Sequence, residues 1–133
     1  MTNKSKKILS EISAGELLDK ISILEIKLDK ITNKTSHGEI VKEYNLLKNT
    51  QNSNIEKNEK TTTLFNRLKE TNLALWDIED KIRICEKNKD FGNKFIELAR
   101  AVYSTNDKRS KIKSEINEAL GSNIKEIKQY VKY

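Results

Sequence analysis

No proline interrupts this chain, and its four glycines, Gly15, Gly38, Gly92 and Gly121, stand far apart. Proline removes a backbone donor and glycine frees the backbone, so their scarcity leaves long stretches with nothing to break a helix and little to build β-turns. The next constraint is how much there is to bury, since 35% of the 133 residues are hydrophobic and 35% are charged. That balance suits helices with one buried stripe and wide solvated faces. The expected fold is all-α: antiparallel helical hairpins forming an elongated bundle, in a single helical domain over 1–133.

Two helix starts are written alike, Ser13-Ala-Gly-Glu16 and Ser36-His-Gly-Glu39. Each has the spacing of a capping box, in which the serine oxygen accepts from a backbone N–H three residues on and the glutamate reciprocates. After the first, Leu17, Ile21, Leu24, Leu28 and Ile31 recur at helical spacing and predict a helix over 14–33. After the second, Ile40, Val41, Tyr44, Leu46 and Leu47 predict a shorter helix over 37–50, folded back to make the first hairpin. Residues 1–10 read as a flexible or extended start. Residues 49–63 hold one apolar residue, Ile55, and read as a loop or a frayed helical extension.

From Leu64 the periodicity returns through Leu68, Leu75, Ile78, Ile82 and Cys85, predicting a helix over 61–88. Asp90 is a suitable N-cap for the next one, over 91–120, whose stripe is Phe91, Phe95, Leu98, Val102, Ile112, Ile116 and Leu120. The stripe turns polar at Thr105, Asn106 and Arg109, and one continuous helix is favoured there over a kink. Gly121 is a natural terminator. The tail over 122–133 carries Ile124, Ile127, Tyr130 and Val131, enough to dock as a short terminal element. The triplet Asp90-Phe91-Gly92 has none of the companion motifs of a kinase and is read as a turn.

Two helices of similar length joined by a tight turn make a long C-terminal hairpin, in which facing residues have numbers adding to about 179, within a turn either way. That register sets Trp76 near Tyr103, Glu79 near Arg100, Asn72 near Asp107 and Arg83 near Ile96. The chain has 22 lysines and only four arginines, so arginine should survive where a planar, bidentate donor is needed. In the structural reading Arg83, Arg100 and Arg109 pair with Glu79, Asp80 and Asp107 and hold the bundle in register. In the functional reading the candidate ligand-binding residues Trp76, Glu79, Asp80, Arg83, Arg100, Tyr103, Asn106, Asp107, Arg109 and Lys113 line a cationic cleft for a carboxylate, phosphate or sugar, with Trp76 or Tyr103 as an apolar platform.

The acid pairs Glu16/Asp19, Asp77/Asp80 and Glu115/Glu118 each share a helical face, a spacing that holds Mg²⁺ in all-α nucleotide pyrophosphatases. The paired-glutamate half of that motif is missing here. In a charge-rich chain the simpler reading is a solvated face, with Glu16 paired to Lys20. His37, the only histidine, reads as a surface residue, and the single cysteine, Cys85, as a small core side chain. No metal site and no cofactor are expected. The net charge of +6 rests on a lysine-rich composition of the kind an AT-rich genome encodes, and the basic run 108–113 has no interleaved aromatics, so nucleic acid is not an expected partner. With no apolar run of membrane-spanning length, no signal peptide and no pair of cysteines, the expected home is the cytoplasm.

The blocks EISAGELLDKISILEIKLDKI, LWDIEDKIR, FIELARAVYSTNDKRSKIKSEINEALGS and EIKQY resemble a family of small bacterial and phage-encoded proteins known only as a domain of unknown function. Its members often stand near genes for surface-polysaccharide or glycosyltransferase work. The resemblance covers residues 11–33 and 73–130 and implies no activity or catalytic residue. It does place Glu16, Lys20, Trp76, Glu79, Asp80, Arg83, Arg100, Tyr103, Asn106, Asp107, Arg109 and Lys113 in the matching blocks. The leading expectation is a non-enzymatic binding or assembly module acting as a homo-oligomer. The alternatives are a small ligand-binding protein or enzyme with the cleft described, for an anionic or sugar-related ligand, and a Mg²⁺-dependent nucleotide hydrolase.

Overall fold

The computed structural model describes residues 6–133, and among them the only regular elements are four helices. These are α1 (Ala14–Lys30), α2 (Lys34–Asn54), α3 (Glu59–Lys87) and α4 (Asn93–Leu120). The apolar stripes meet as the periodicity predicts: Leu17, Leu18 and Ile21 of α1 close against Leu64 and Leu68 of α3 and Ile112 and Ile116 of α4. Each such burial is worth roughly 2 kcal/mol. Helix α2 has no buried residue and lies outside, with Tyr44 and Leu47 against the core and the Tyr44 hydroxyl donating to Glu25 at 3.1 Å.

This core occupies one end of the α3–α4 hairpin. Past Leu75 on α3 and before Ile112 on α4, Cys85 is the only fully buried side chain. The rest of the hairpin is an arm of two helices whose seam residues Ile78, Ile82, Phe95, Leu98 and Val102 are half-buried. The 29 residues of α3 run roughly 43 Å.

Several helix limits differ from the sequence reading. Helix α2 is capped by Asn33, whose Oδ1 accepts from the Ser36 N–H at 3.0 Å, so the second serine box lies inside the helix. Asparagine caps as well as serine, and capping at Asn33 gains a turn. Most of 49–63 is helical: α2 runs to Asn54 and α3 starts at Glu59 under Asn58, which accepts from the Thr61 N–H at 2.9 Å. A polar sequence does not break a helix whose face is solvated, and Ile55, packed on the core, anchors the short link. In the first box the Glu16 N–H donates to Ser13 Oγ at 3.2 Å, while the Glu16 carboxylate binds Lys113.

At the hairpin corner Asp90 accepts from the Gly92 N–H and α4 begins at Asn93 with no side-chain cap. Lys89 occupies the left-handed region there, φ 56°. Helix α4 is unbroken through 104–107 and ends at Gly121, φ 60°. The tail is not helical; Lys125 pins it to Glu118 and Lys113 holds Glu126. Of the expected extended start, residues 6–13 are non-helical and residues 1–5 lie outside the described residues.

Candidate functional site

The site begins with a glycine. A Cβ on Gly15 would stand 2.6 Å from the Lys113 carbonyl oxygen, so only glycine lets α1 approach α4 this closely. The Gly15 N–H then donates to Asn117 Oδ1 at 2.7 Å and the Ala14 N–H to Ser122 Oγ at 3.1 Å, satisfying the first turn of α1 from across the bundle.

One turn along, Asp19 is 1% exposed. An unpaired carboxylate would be forbiddingly costly there. Arg109 grips it with two donors, Nε to Oδ1 at 2.9 Å and Nη2 to Oδ2, and Asn72 Nδ2 donates to Oδ1 at 2.9 Å. The second proton of Asn72 Nδ2 goes to Ser22 Oγ, whose own hydroxyl donates to the Asp19 carbonyl. Lys113 Nζ lies 3.9 Å from Asp19 Oδ2 and donates to Glu16 at 2.8 Å and Glu126 at 3.1 Å. Burial alone would push the Asp19 carboxyl up, but the bonds from Arg109 and Asn72 and the charges of Arg109 and Lys113 together hold it below the usual carboxylate range. Burial would likewise lower Lys113, and Glu16, Asp19 and Glu126 raise it instead. Among the described residues no buried side-chain polar atom lacks a partner. The cluster is a lock between α1, α3 and α4, with its buried polar atoms all paired.

A groove of about 490 Å³ opens beside the lock, where the end of α1 lies over the hairpin. Ile23, Ile26 and Leu75 give it apolar walls, and Trp76, Glu79, Asp80, Arg83, Asn106 and Arg109 supply an indole and polar groups. Arg83 binds Glu79 on its own helix and Arg109 is spent on Asp19, so the groove has no surplus positive charge.

The hairpin keeps the expected register to within a turn, as the ion pair between Arg67 and Glu115 shows. Six of the residues singled out from the sequence, Trp76, Glu79, Asp80, Arg83, Asn106 and Arg109, share this groove. Tyr103 does not line it; its ring meets Tyr133 edge-on instead, and Asp107 accepts from the Tyr133 hydroxyl. Arg100 is exposed and makes no ion pair among the described residues, so the Glu79–Arg100 pairing gives way to Glu79–Arg83. Lys113 belongs to the lock.

The sequence reading missed Asp19, Ser22 and Asn72. Their only trace in the sequence is Gly15, Asp19 and Ser22 at helical spacing, small and polar residues beside the apolar stripe, a pattern that does not tell a buried acid from a solvated one. The three acid pairs do not converge. Glu16 and Asp19 face Lys113 and Arg109, Asp77 binds Lys81, Glu115 binds Arg67, and Glu118 binds Lys125. Among the described residues no three His, Cys, Asp or Glu side chains gather where they would hold a metal ion. Nor is any described helix long and apolar enough to cross a membrane.

Over the described residues, fold and site together define a small protein of four helices with an apolar-walled groove, carrying one indole and several polar groups, at the root of a two-helix arm. The chain belongs to a family of unknown function (DUF6165), whose model matches residues 8–132. Comparison with the curated proteins and with the solved structures finds no match.

Proposed function

We propose that this protein is a non-enzymatic binding module whose groove takes a neutral sugar. The observation that carries this reading is Trp76, set in a groove whose guanidinium groups are already neutralised. A phosphate or carboxylate ligand would have to compete with Glu79 for Arg83 and with Asp19 for Arg109. A pyranose offers an apolar C–H face for an indole and hydroxyls for carboxylate, amide and guanidinium edges, which match Glu79, Asp80, Asn106 and Arg83. The lock, its buried polar atoms paired with one another, supplies rigidity, which favours binding over catalysis. The family resemblance extends the reading to a bacterial or phage-encoded protein that works in the cytoplasm beside surface-polysaccharide or glycosyltransferase functions.

Trp76 is the only tryptophan, so its emission reports the groove directly. Titration with glucose, galactose and N-acetylglucosamine should shift that emission for at least one sugar, and the same sugar should raise the melting temperature of the native chain and not of Trp76→Ala. An equal rise in both would place the sugar elsewhere and overturn the reading.

A second reading, self-association, is favoured by the arm. Ile84, Phe91 and Ile96 are exposed along it, and beyond its root no third described helix covers the seam. Packing two arms together would cover both seams as in a four-helix bundle. Light scattering should then show a dimer that Ile84→Glu/Ile96→Glu converts to monomer; a native monomer would sink this reading and leave the first intact.

A further inference from the structure

The C-terminal segment is held at Glu126 and again at Tyr133, with exposed apolar side chains between. Lys113 binds Glu126 at 3.1 Å, and Tyr133 both donates to Asp107 and packs against Tyr103, ring centroids 5.2 Å apart. Between these anchors Ile127, Tyr130 and Val131 are 86%, 72% and 91% exposed. Here the backbone is tethered while Tyr130 and Val131 stay uncovered along the space beside α4, a contiguous apolar rim.

The space between this segment and α4 is a second groove of about 660 Å³, with Val102 and Tyr103 on one side, Tyr130 and Val131 on the other, and Asp107 and Lys128 as its charged groups. Both grooves fall in the size range of small-molecule sites, roughly 300–1,000 Å³. Asn106 lines both, so the two are neighbours across one amide.

We infer that the second groove takes the next units of the same saccharide, so that the ligand is an oligosaccharide of neutral hexopyranoses running over Asn106. The inference rests on the sugar reading of the first groove. A glycosidic chain presents a C–H face and a hydroxyl edge at every unit. The two grooves answer with Trp76 before Asn106 and the Tyr103 and Tyr130 rings after it. The Asn106 amide can donate to a glycosidic or ring oxygen and accept from a neighbouring hydroxyl. Asp107 and Lys128 cancel in charge, so this groove, like the first, holds no net attraction for an anion.

The test is a length series on the full chain, followed by Trp76 emission: glucose, galactose and N-acetylglucosamine with their di- and tetrasaccharides. We expect the tetrasaccharide of one series to bind at least about tenfold tighter than its monosaccharide. In Tyr130→Ala, a change at an exposed position, the tetrasaccharide should bind no tighter than the monosaccharide binds the native chain. If Trp76 responds and affinity does not grow with length, the second groove is excluded while the first stands. A gain with length that survives both Tyr130→Ala and Tyr103→Ala places the extra units elsewhere and overturns the inference. No response to any saccharide removes both readings.

Discussion

Asp19 and Arg109, 90 residues apart in the chain, meet side by side, with both carboxylate oxygens engaged by one guanidinium. The carboxylate is wholly inside the protein and the guanidinium side chain is 28% exposed. One partner cannot be removed without stranding the other, which makes this pair the point at which the bundle is most sensitive to substitution.

Asp19→Ala should therefore destabilise the protein by about 3 kcal/mol, the lower end for a broken buried pair because Arg109 retains some water. Urea unfolding measures this. The double variant Asp19→Leu/Arg109→Met should recover much of the loss, whereas simple additivity would show that the two side chains act independently.

The same pair contributes to the loss of stability in acid. The Asp19 carboxyl titrates below its usual range in the fold, so the unfolded chain binds its proton more readily. Its contribution is complete above the unfolded value, about pH 3.9, and is lost as pH falls through the lower folded value. Unfolding free energies measured from pH 7 to pH 2 should fall over that window in the native chain and less steeply in Asp19→Asn.

Two glycines make an internal comparison. Gly15→Ala drives a methyl onto the Lys113 carbonyl and Asn117 Oδ1, which would lie 2.6 and 2.9 Å away, and should cost about 2 kcal/mol by forcing α1 off α4. Gly38 is inside α2 with nothing within 4 Å of a Cβ, so Gly38→Ala should stabilise by about 0.5–1 kcal/mol. Thermal melts should show opposite shifts; a shift of the same sign would contradict the packing of α1.

Lys89 offers a gain at the hairpin corner. It holds φ 56°, where a side chain is strained and glycine is not. Lys89→Gly should leave the helices unchanged by circular dichroism and raise stability by up to about 1 kcal/mol, less whatever the freer unfolded chain takes back.

The helices were legible because their signals are local. Leu17 to Leu24 on α1 and Leu64 to Leu75 on α3 repeat within a few residues, and Gly121 needs only its own backbone to end α4. The hairpin register and the scarcity of arginine also act through sequence alone, which is why six groove residues could be singled out. Asp19 could not be told from a solvated acid, since Glu16-x-x-Asp19 and Glu115-x-x-Glu118 look alike. Only the first meets an arginine coming from another helix to a buried place.

What the residues determined unaided was a set of long, uninterrupted helices and the face each would bury, because propensity and periodicity act over one or two turns. Tertiary structure alone decided which acid Arg109 binds, which ring Tyr103 meets and where the grooves open. Those choices depend on how closely α1 reaches α4 at Gly15, and a partner brought from 90 residues away leaves no mark on the local pattern.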